Sequence, residues 1–283
     1  MTTLSNRAML VSLHISAWAA RKQDKRETQD VAQKHQTAIN VARVNKSLLP
    51  GAETLDNIHK LVGEIRTEFY RRSLPWSHGT QIIKSSGFLE FSEVLGNYRR
   101  RFDDARDVFC VDYPRLVREA PAKMNGLFDI NDYPEVDQVA SKFSMRLAFM
   151  PVPDAEDWRV DVGDENLEIL RDSITREVEG AASEAMTAAW QRIYDVVSKA
   201  YERLSTPDNI FKDSLVQNAV DLCRILPDLN ITDDPHLEDL RRQLERSLCS
   251  TTPGALRASP QKRTEVSDQL AGIMSKMGAL YGN

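Results

Sequence analysis

The sequence predicts an α+β protein, predominantly helical, with a small, mainly antiparallel sheet and a long antiparallel helical hairpin. Three patterns carry that expectation. Apolar residues recur three and four positions apart over two long stretches, which sets them on one face of a helix. Shorter runs alternate apolar and polar side chains, the period of a half-buried strand. Pro, Gly and Asp punctuate the joints.

The run Val11-Ser12-Leu13-His14-Ile15-Ser16-Ala17-Trp18 alternates, so a strand over residues 9–18 turns Val11, Leu13, Ile15 and Ala17 to one face. Residues Lys22 to Gln36 are almost wholly polar and read as an exposed connection or a loosely held helix. A second strand is expected at residues 39–45. After the Pro50-Gly51 turn, Leu55, Ile58, Leu61, Val62, Ile65 and Phe69 keep helical spacing until Leu74-Pro75. A loop with a brief strand at residues 80–84 follows. From Phe88 a long helix stacks Phe91, Val94, Leu95, Tyr98, Phe102, Ala105 and Phe109, with Pro114 expected to end or kink it and helical chain continuing to about Met124. Tyr133-Pro134-Glu135 can start a short helix, and residues 143–151 alternate again, closed by Pro151 and Pro153, as a strand paired with the N-terminal one.

The longest helix is expected from Asp164, whose carboxylate suits the unpaired amides of a first turn. Leu167, Leu170, Ile174, Val178, Ala181, Ala185, Ala188, Ile193, Val196, Ala200 and Leu204 form a coiled-coil-like seam along it, roughly 60 Å at about 1.5 Å per residue. Its alanine-rich middle permits a close neighbour. Residues 88–125 and 165–204 are therefore expected to lie side by side as the hairpin. Three shorter helices follow at about Asn209 to Leu226, Pro235 to Cys249 and Gln261 to Tyr281; Asp234-Pro235 and Ser259-Pro260 specify the last two starts. The polar stretch Ser250 to Arg263 leaves the final helix docked loosely, exchanged between subunits or mobile. The expected division is a sheet-containing region at 1–160, with the first long helices, and a helical region at 161–283, folded together.

At 283 residues, 41% hydrophobic and 28% charged, the chain lies in the globular range. No stretch approaches the roughly 20 apolar residues that span a bilayer, and three cysteines, Cys110, Cys223 and Cys249, read as reduced thiols, so the expected location is the cytoplasm. Net charge is -5 and unevenly spread. Residues 1–101 carry 16 Lys and Arg against 9 Asp and Glu, and the remainder 21 against 33.

Catalytic signatures are scarce. The sequence holds no glycine-rich phosphate loop, no dinucleotide fingerprint and no Gly-x-Ser-x-Gly elbow. The five histidines have no i, i+4 pair for a metal on a helix face, and the cysteines are far apart in sequence. Cys110, beside Phe109 and Val111, reads as a buried structural thiol, and Asp103-Asp104, Glu156-Asp157 and Asp233-Asp234 as solvated faces or caps. Neither an enzyme nor a cofactor is expected.

The main local oddity is Tyr98-Arg99-Arg100-Arg101-Phe102, three guanidiniums between aromatics, with Arg66, Arg71, Arg72 and Lys84 in neighbouring elements. If the two helices pack through Phe69, Phe91, Tyr98 and Phe102, some of these cations form a patch for phosphates or an anionic partner. The simpler alternative is that Arg99 to Arg101 face water or pair with acids, because three successive residues spread over most of a helical turn. Trp76 and His78 suit base stacking or plug a core edge.

The segments Leu10 to Trp18, Ile65-Arg66 to Leu74-Pro75, Phe128 to Val136 and Phe143 to Pro151 resemble an uncharacterised family of bacteriophages and other mobile elements, over most of residues 10–225. None of these motifs is catalytic. The resemblance implies a setting near a ring-forming MoxR-type ATPase and a von Willebrand-type metal-binding protein. The function expected is a non-catalytic assembly or adaptor protein that binds itself, as a homo-oligomer, or a protein partner such as that ATPase. The alternative is a nucleic-acid-binding protein of phage recombination or replication that uses the basic N-terminal third.

Overall fold

The computed structural model describes residues 4–77, 79–157, 164–206 and 209–281. It is 69% helical with a small antiparallel sheet. The elements, in chain order, are β1 (Ala8–Ser16), β2 (Arg21–Gln23), α1 (Lys25–Lys34), β3 (Asn45–Ser47), α2 (Glu53–Arg71), β4 (Leu74–Pro75), β5 (Gln81–Lys84), α3 (Phe88–Met124), α4 (Val136–Ala140), β6 (Ser144–Pro151), α5 (Asp164–Ser205), α6 (Ser214–Leu229) and α7 (Pro235–Leu244). Helix α7 runs into a π-helical turn at Glu245–Cys249, followed by α8 (Pro253–Ala258) and α9 (Pro260–Tyr281). Two compact units interleave along the chain: one of residues 1–12, 70–91 and 148–283, the other of 13–69 and 92–147. They do not divide at residue 160, because β1, α2, α3 and β6 each run from one unit into the other.

The sheet has the order β4-β5-β1-β6. In the first unit β1 pairs antiparallel with β5, Leu10 facing Ile82 and Val11 facing Gln81, and β4 pairs with β5 through Leu74 and Ile82. Leu10, Leu74 and Ile82 are buried here in one core with α5, α6, α7 and α9. Along α5, Ala185, Met186, Ala189, Trp190, Ile193, Val197, Ala200 and Leu204 are buried, and α9 contributes Val266, Leu270, Ile273 and Met277. The apolar edge of α5 is thus filled by α9 and α6. This corrects the expected pairing of residues 165–204 with 88–125: a seam of small residues accepts any apolar face brought close, and the nearest ones follow it in sequence.

Helix α9 is not loosely docked, as expected, but pinned. The Arg263 guanidinium donates to the carbonyls of Arg203 (2.7 Å), Leu204 (3.0 Å), Thr206 (2.6 Å) and Asn209 (2.9 Å). These close the end of α5, where backbone acceptors have no partner within the helix. The Asp234 carboxylate caps α7 through the His236 amide at 2.9 Å, and Ser259 Oγ accepts the Lys262 amide at 3.2 Å, as the two Pro-marked starts predict. Helix α8 lies inside the polar stretch Ser250 to Arg263, begun by Pro253 and capped by Thr252. The expected capping role of Asp164 lies outside the described side chains.

In the second unit α2 and α3 run antiparallel, as Thr54 bonded to Asp112 (3.1 Å) and Arg101 paired with Glu64 (3.0 Å) show. Leu55, Ile58, Ile65 and Phe69 of α2 are buried, as are Leu95, Phe102, Phe109, Tyr113 and Leu116 of α3. Phe109 meets Phe143 edge-on at 5.5 Å. Pro114 does not end α3, which continues through Pro114 and Pro121 to Met124. Both prolines lie on the exposed side, so each removes one outward hydrogen bond while the buried face keeps its partners.

Residues 39–44 are not a strand; Ile39 and Val41 are 55% and 69% exposed. The strand starts at Asn45, where β3 finds β2 as an edge: Arg21 faces Ser47 and Gln23 faces Asn45 in a separate two-stranded ribbon. Val44 bonds outside any ladder, its carbonyl accepting from the Asp24 amide at 2.9 Å and its amide donating to Thr28 Oγ1 at 3.1 Å, so its backbone groups are satisfied without a strand. Asp24 caps α1 by accepting the amides of Arg26 and Glu27, both at 3.1 Å, which makes the polar stretch after Lys22 helical. Lys46 of β3 ties ribbon and loop together, reaching Asp132 at 2.8 Å, Asp24 at 3.4 Å and the Leu127 carbonyl at 2.7 Å.

Candidate partner-binding surface

Helix α5 has two halves of different character. From Ala185 to Leu204 its apolar stripe is closed off by α9 and α6. From Leu167 to Glu184 no residue is buried. Leu167, Leu170, Ile174, Val178 and Ala181 keep the seam spacing yet stay half-exposed, and Ile169 beside them is 65% exposed. Their spacing runs three, four, four and then three, a repeat of about eleven residues that matches the helical turn and keeps the stripe nearly straight. The sequence builds one continuous edge; among the described residues only its second half is buried, with Val178 of the first half packed partly against the core.

Charge frames the open half. Glu168, Asp172, Glu177, Glu179 and Glu184 are exposed around the stripe, against Arg171 and Arg176. The Arg176 Nε donates to the Asp172 carbonyl at 3.1 Å, so that cation is turned along the helix. A second copy presenting the same acidic border meets like charge, whereas a helix with a basic border meets opposite charge.

A second apolar surface lies in the other unit. Val108 and Val111 on α3 are 59% and 84% exposed. Farther along, Tyr113, Pro114, Val117, Ile130 and Val136 border an open groove of about 690 Å³. Two valines and a shallow groove offer less continuous apolar edge than the five-residue stripe of α5.

The residues singled out for an anionic ligand fall into both units. In the first, Arg72 is buried and paired with Glu90 at 2.9 Å, Lys84 is paired with Asp233, and Arg71 is half-buried. In the second, Arg66, Arg99, Arg100 and Arg101 are exposed; Arg100 donates to Asn97, and Arg101 pairs with Glu64 and lies 5.1 Å over the Tyr98 ring. Phe102 is fully buried, as its place among the seam aromatics requires. The basic surplus of residues 1–101 is diluted by folding, because the second unit draws the acids of α3 in beside it and holds 18 Lys and Arg against 17 Asp and Glu. Trp76 is half-buried, and His78 lies outside the described residues.

No group of three His, Cys, Asp or Glu side chains able to hold a metal occurs among the described residues. No described helix is long and apolar enough to cross a membrane. Burial lifts the Cys110 thiol above its ordinary value, with the Asp107 carboxylate adding to it. Comparison with family models, curated proteins and solved structures found no match.

Proposed function

We propose that this chain is a non-catalytic assembly or adaptor protein that binds a protein partner through the first half of α5. The half-covered stripe Leu167, Leu170, Ile174, Val178 and Ala181 supports this reading: an edge patterned for helix packing continues past the point where the described helices bury it. The acidic border selects the occupant, an amphipathic helix with basic flanks rather than a second copy of the chain. A ring ATPase of the kind implied by the mobile-element resemblance is the proposed partner class.

The test uses two synthetic helical peptides with leucines at the same spacing, one flanked by Lys and one by Glu. Fluorescence anisotropy should show the Lys-flanked peptide binding at least tenfold tighter, with salt weakening it. Ile174→Asp should abolish that binding while circular dichroism and the melting curve stay unchanged. Equal affinity for both peptides, or full binding by the Ile174→Asp variant, refutes the reading. Light scattering of the pure chain at low salt should show a monomer; a stable dimer lost on Ile174→Asp would assign the stripe to self-assembly instead.

A further inference from the structure

The cysteines at positions 223 and 249 are separated by 26 positions in the sequence, yet their Sγ atoms lie 3.7 Å apart. Cys223 is buried in α6, and Cys249 is the half-exposed last residue of the π-helical turn. We propose that this pair is an oxidative modification site, a dithiol that closes to a disulfide on exposure to an oxidising disulfide compound.

Two further observations support it. Closing the bond requires the sulfurs to approach to about 2.05 Å, and the moving partner sits in a π turn, where a residue is inserted into the helical ladder and spacing is looser than in α-helix. Thr251, Thr252 and the short α8 follow, so the chain after Cys249 leaves the helix at once. The two thiols also differ in accessibility, as an attacking and a resolving cysteine must. Cys223 Sγ donates to the Arg241 carbonyl at 3.8 Å and is shielded. Cys249 Sγ donates to Cys223 Sγ across the 3.7 Å gap; the contact with Cys249 and burial hold Cys223 above its ordinary value, whereas the contact with Cys223 lowers Cys249. Cys249, the less buried of the two, is the thiol an oxidant reaches first and so the attacking one.

The chemistry balances as follows. The Cys249 thiolate attacks one sulfur of glutathione disulfide, forms a mixed disulfide and releases one glutathione thiolate. Cys223 then loses its proton to solvent and attacks Cys249 Sγ, breaking the mixed disulfide and expelling the second glutathione thiolate. Two protein thiols are oxidised and one glutathione disulfide is reduced to two thiols. The product staples α6 to the π turn within one unit.

The reduced full-length chain, treated with glutathione disulfide and kept native by circular dichroism, should lose roughly 2 Da, the two thiol hydrogens. Trypsin should then release peptides 213–224 and 247–257 as one linked species from most chains, with Cys110 still open to alkylation. In Cys223→Ser the glutathione adduct on Cys249 should persist, and the oxidised wild type should unfold at higher urea concentration than the reduced form. A glutathione adduct that persists on Cys249 in the wild type, linkage through Cys110, or no linked species from the native chain each overturns the proposal. The wild-type peptide map decides the matter even if the serine variant fails to fold.

Discussion

Replacing Arg192 with Met removes a guanidinium that holds three carbonyls at once. Its NH1 donates to Arg71 O at 2.8 Å, and its NH2 to Tyr70 O at 2.9 Å and Ser73 O at 2.7 Å. Tyr70 and Arg71 are the final residues of α2, and their carbonyls have no onward partner inside that helix. Arg192 therefore acts as a cap supplied from α5, and the turn into β4 is built on it. Burial first, and then the neighbouring Arg71 cation, lower the Arg192 pKa, so holding the charge there has a cost. A hydrogen bond to a charged group contributes about 1.5–3 kcal/mol, and relief of the buried charge returns part of the sum. The expected net loss for Arg192→Met is about 2–4 kcal/mol. Arg192→Lys should fall between, because one ammonium cannot reach three divergent acceptors. Urea unfolding followed by circular dichroism measures both, and hydrogen exchange should show residues 72–75 opening first in the Met variant. An Arg192→Met chain within about 0.5 kcal/mol of wild type, the range of an ordinary surface change, would refute the capping argument.

A Cβ on Gly87 would sit 2.7 Å from Asp228 Cγ and 2.9 Å from its Cβ, so Gly87→Ala should cost about 1–3 kcal/mol in urea melts, and adding Asp228→Gly should recover most of it. Ile193 is fully buried while Ile174 is half-exposed; truncation to Ala should cost about 2–4 kcal/mol at the first and under about 1 kcal/mol at the second, and similar losses would contradict the half-covered stripe. Burial raises the Asp132 carboxyl, but hydrogen bonds from Lys22 and Lys46 outweigh it and hold the group below its ordinary 3.8. Its contribution is therefore complete above pH 3.8 and is lost as pH falls through the lowered native value, so acid titration of Asp132→Asn should show a shallower stability loss below that point. The triple variant Arg99→Ala, Arg100→Ala, Arg101→Ala should leave weak duplex binding and its salt slope unchanged, since the surrounding acids already cancel the field; a slope falling by about three would restore the nucleic-acid reading.

Local signals settle what is local. Asp234-Pro235 and Ser259-Pro260 begin helices where they stand, because a cap and a proline act on amides within one turn. Residues 88–124 form a helix and 144–151 a strand, because the period of apolar residues is a property of the segment itself. The seam of α5 is likewise legible in its spacing. Periodicity says that a face is apolar, but not what meets it. That α9 and α6 cover Ala185 to Leu204 and leave Leu167 to Ala181 half-open was decided by the sum of many weak, non-directional contacts across the unit. The same holds for Ile39 to Val44, apolar enough to suggest a strand but placed in no ladder among the described residues, and for Arg72, whose charge is paired with Glu90. Cys223 and Cys249 show the limit most clearly: nothing near either residue marks the other, and only the packing of α6 against the π turn brings their sulfurs together.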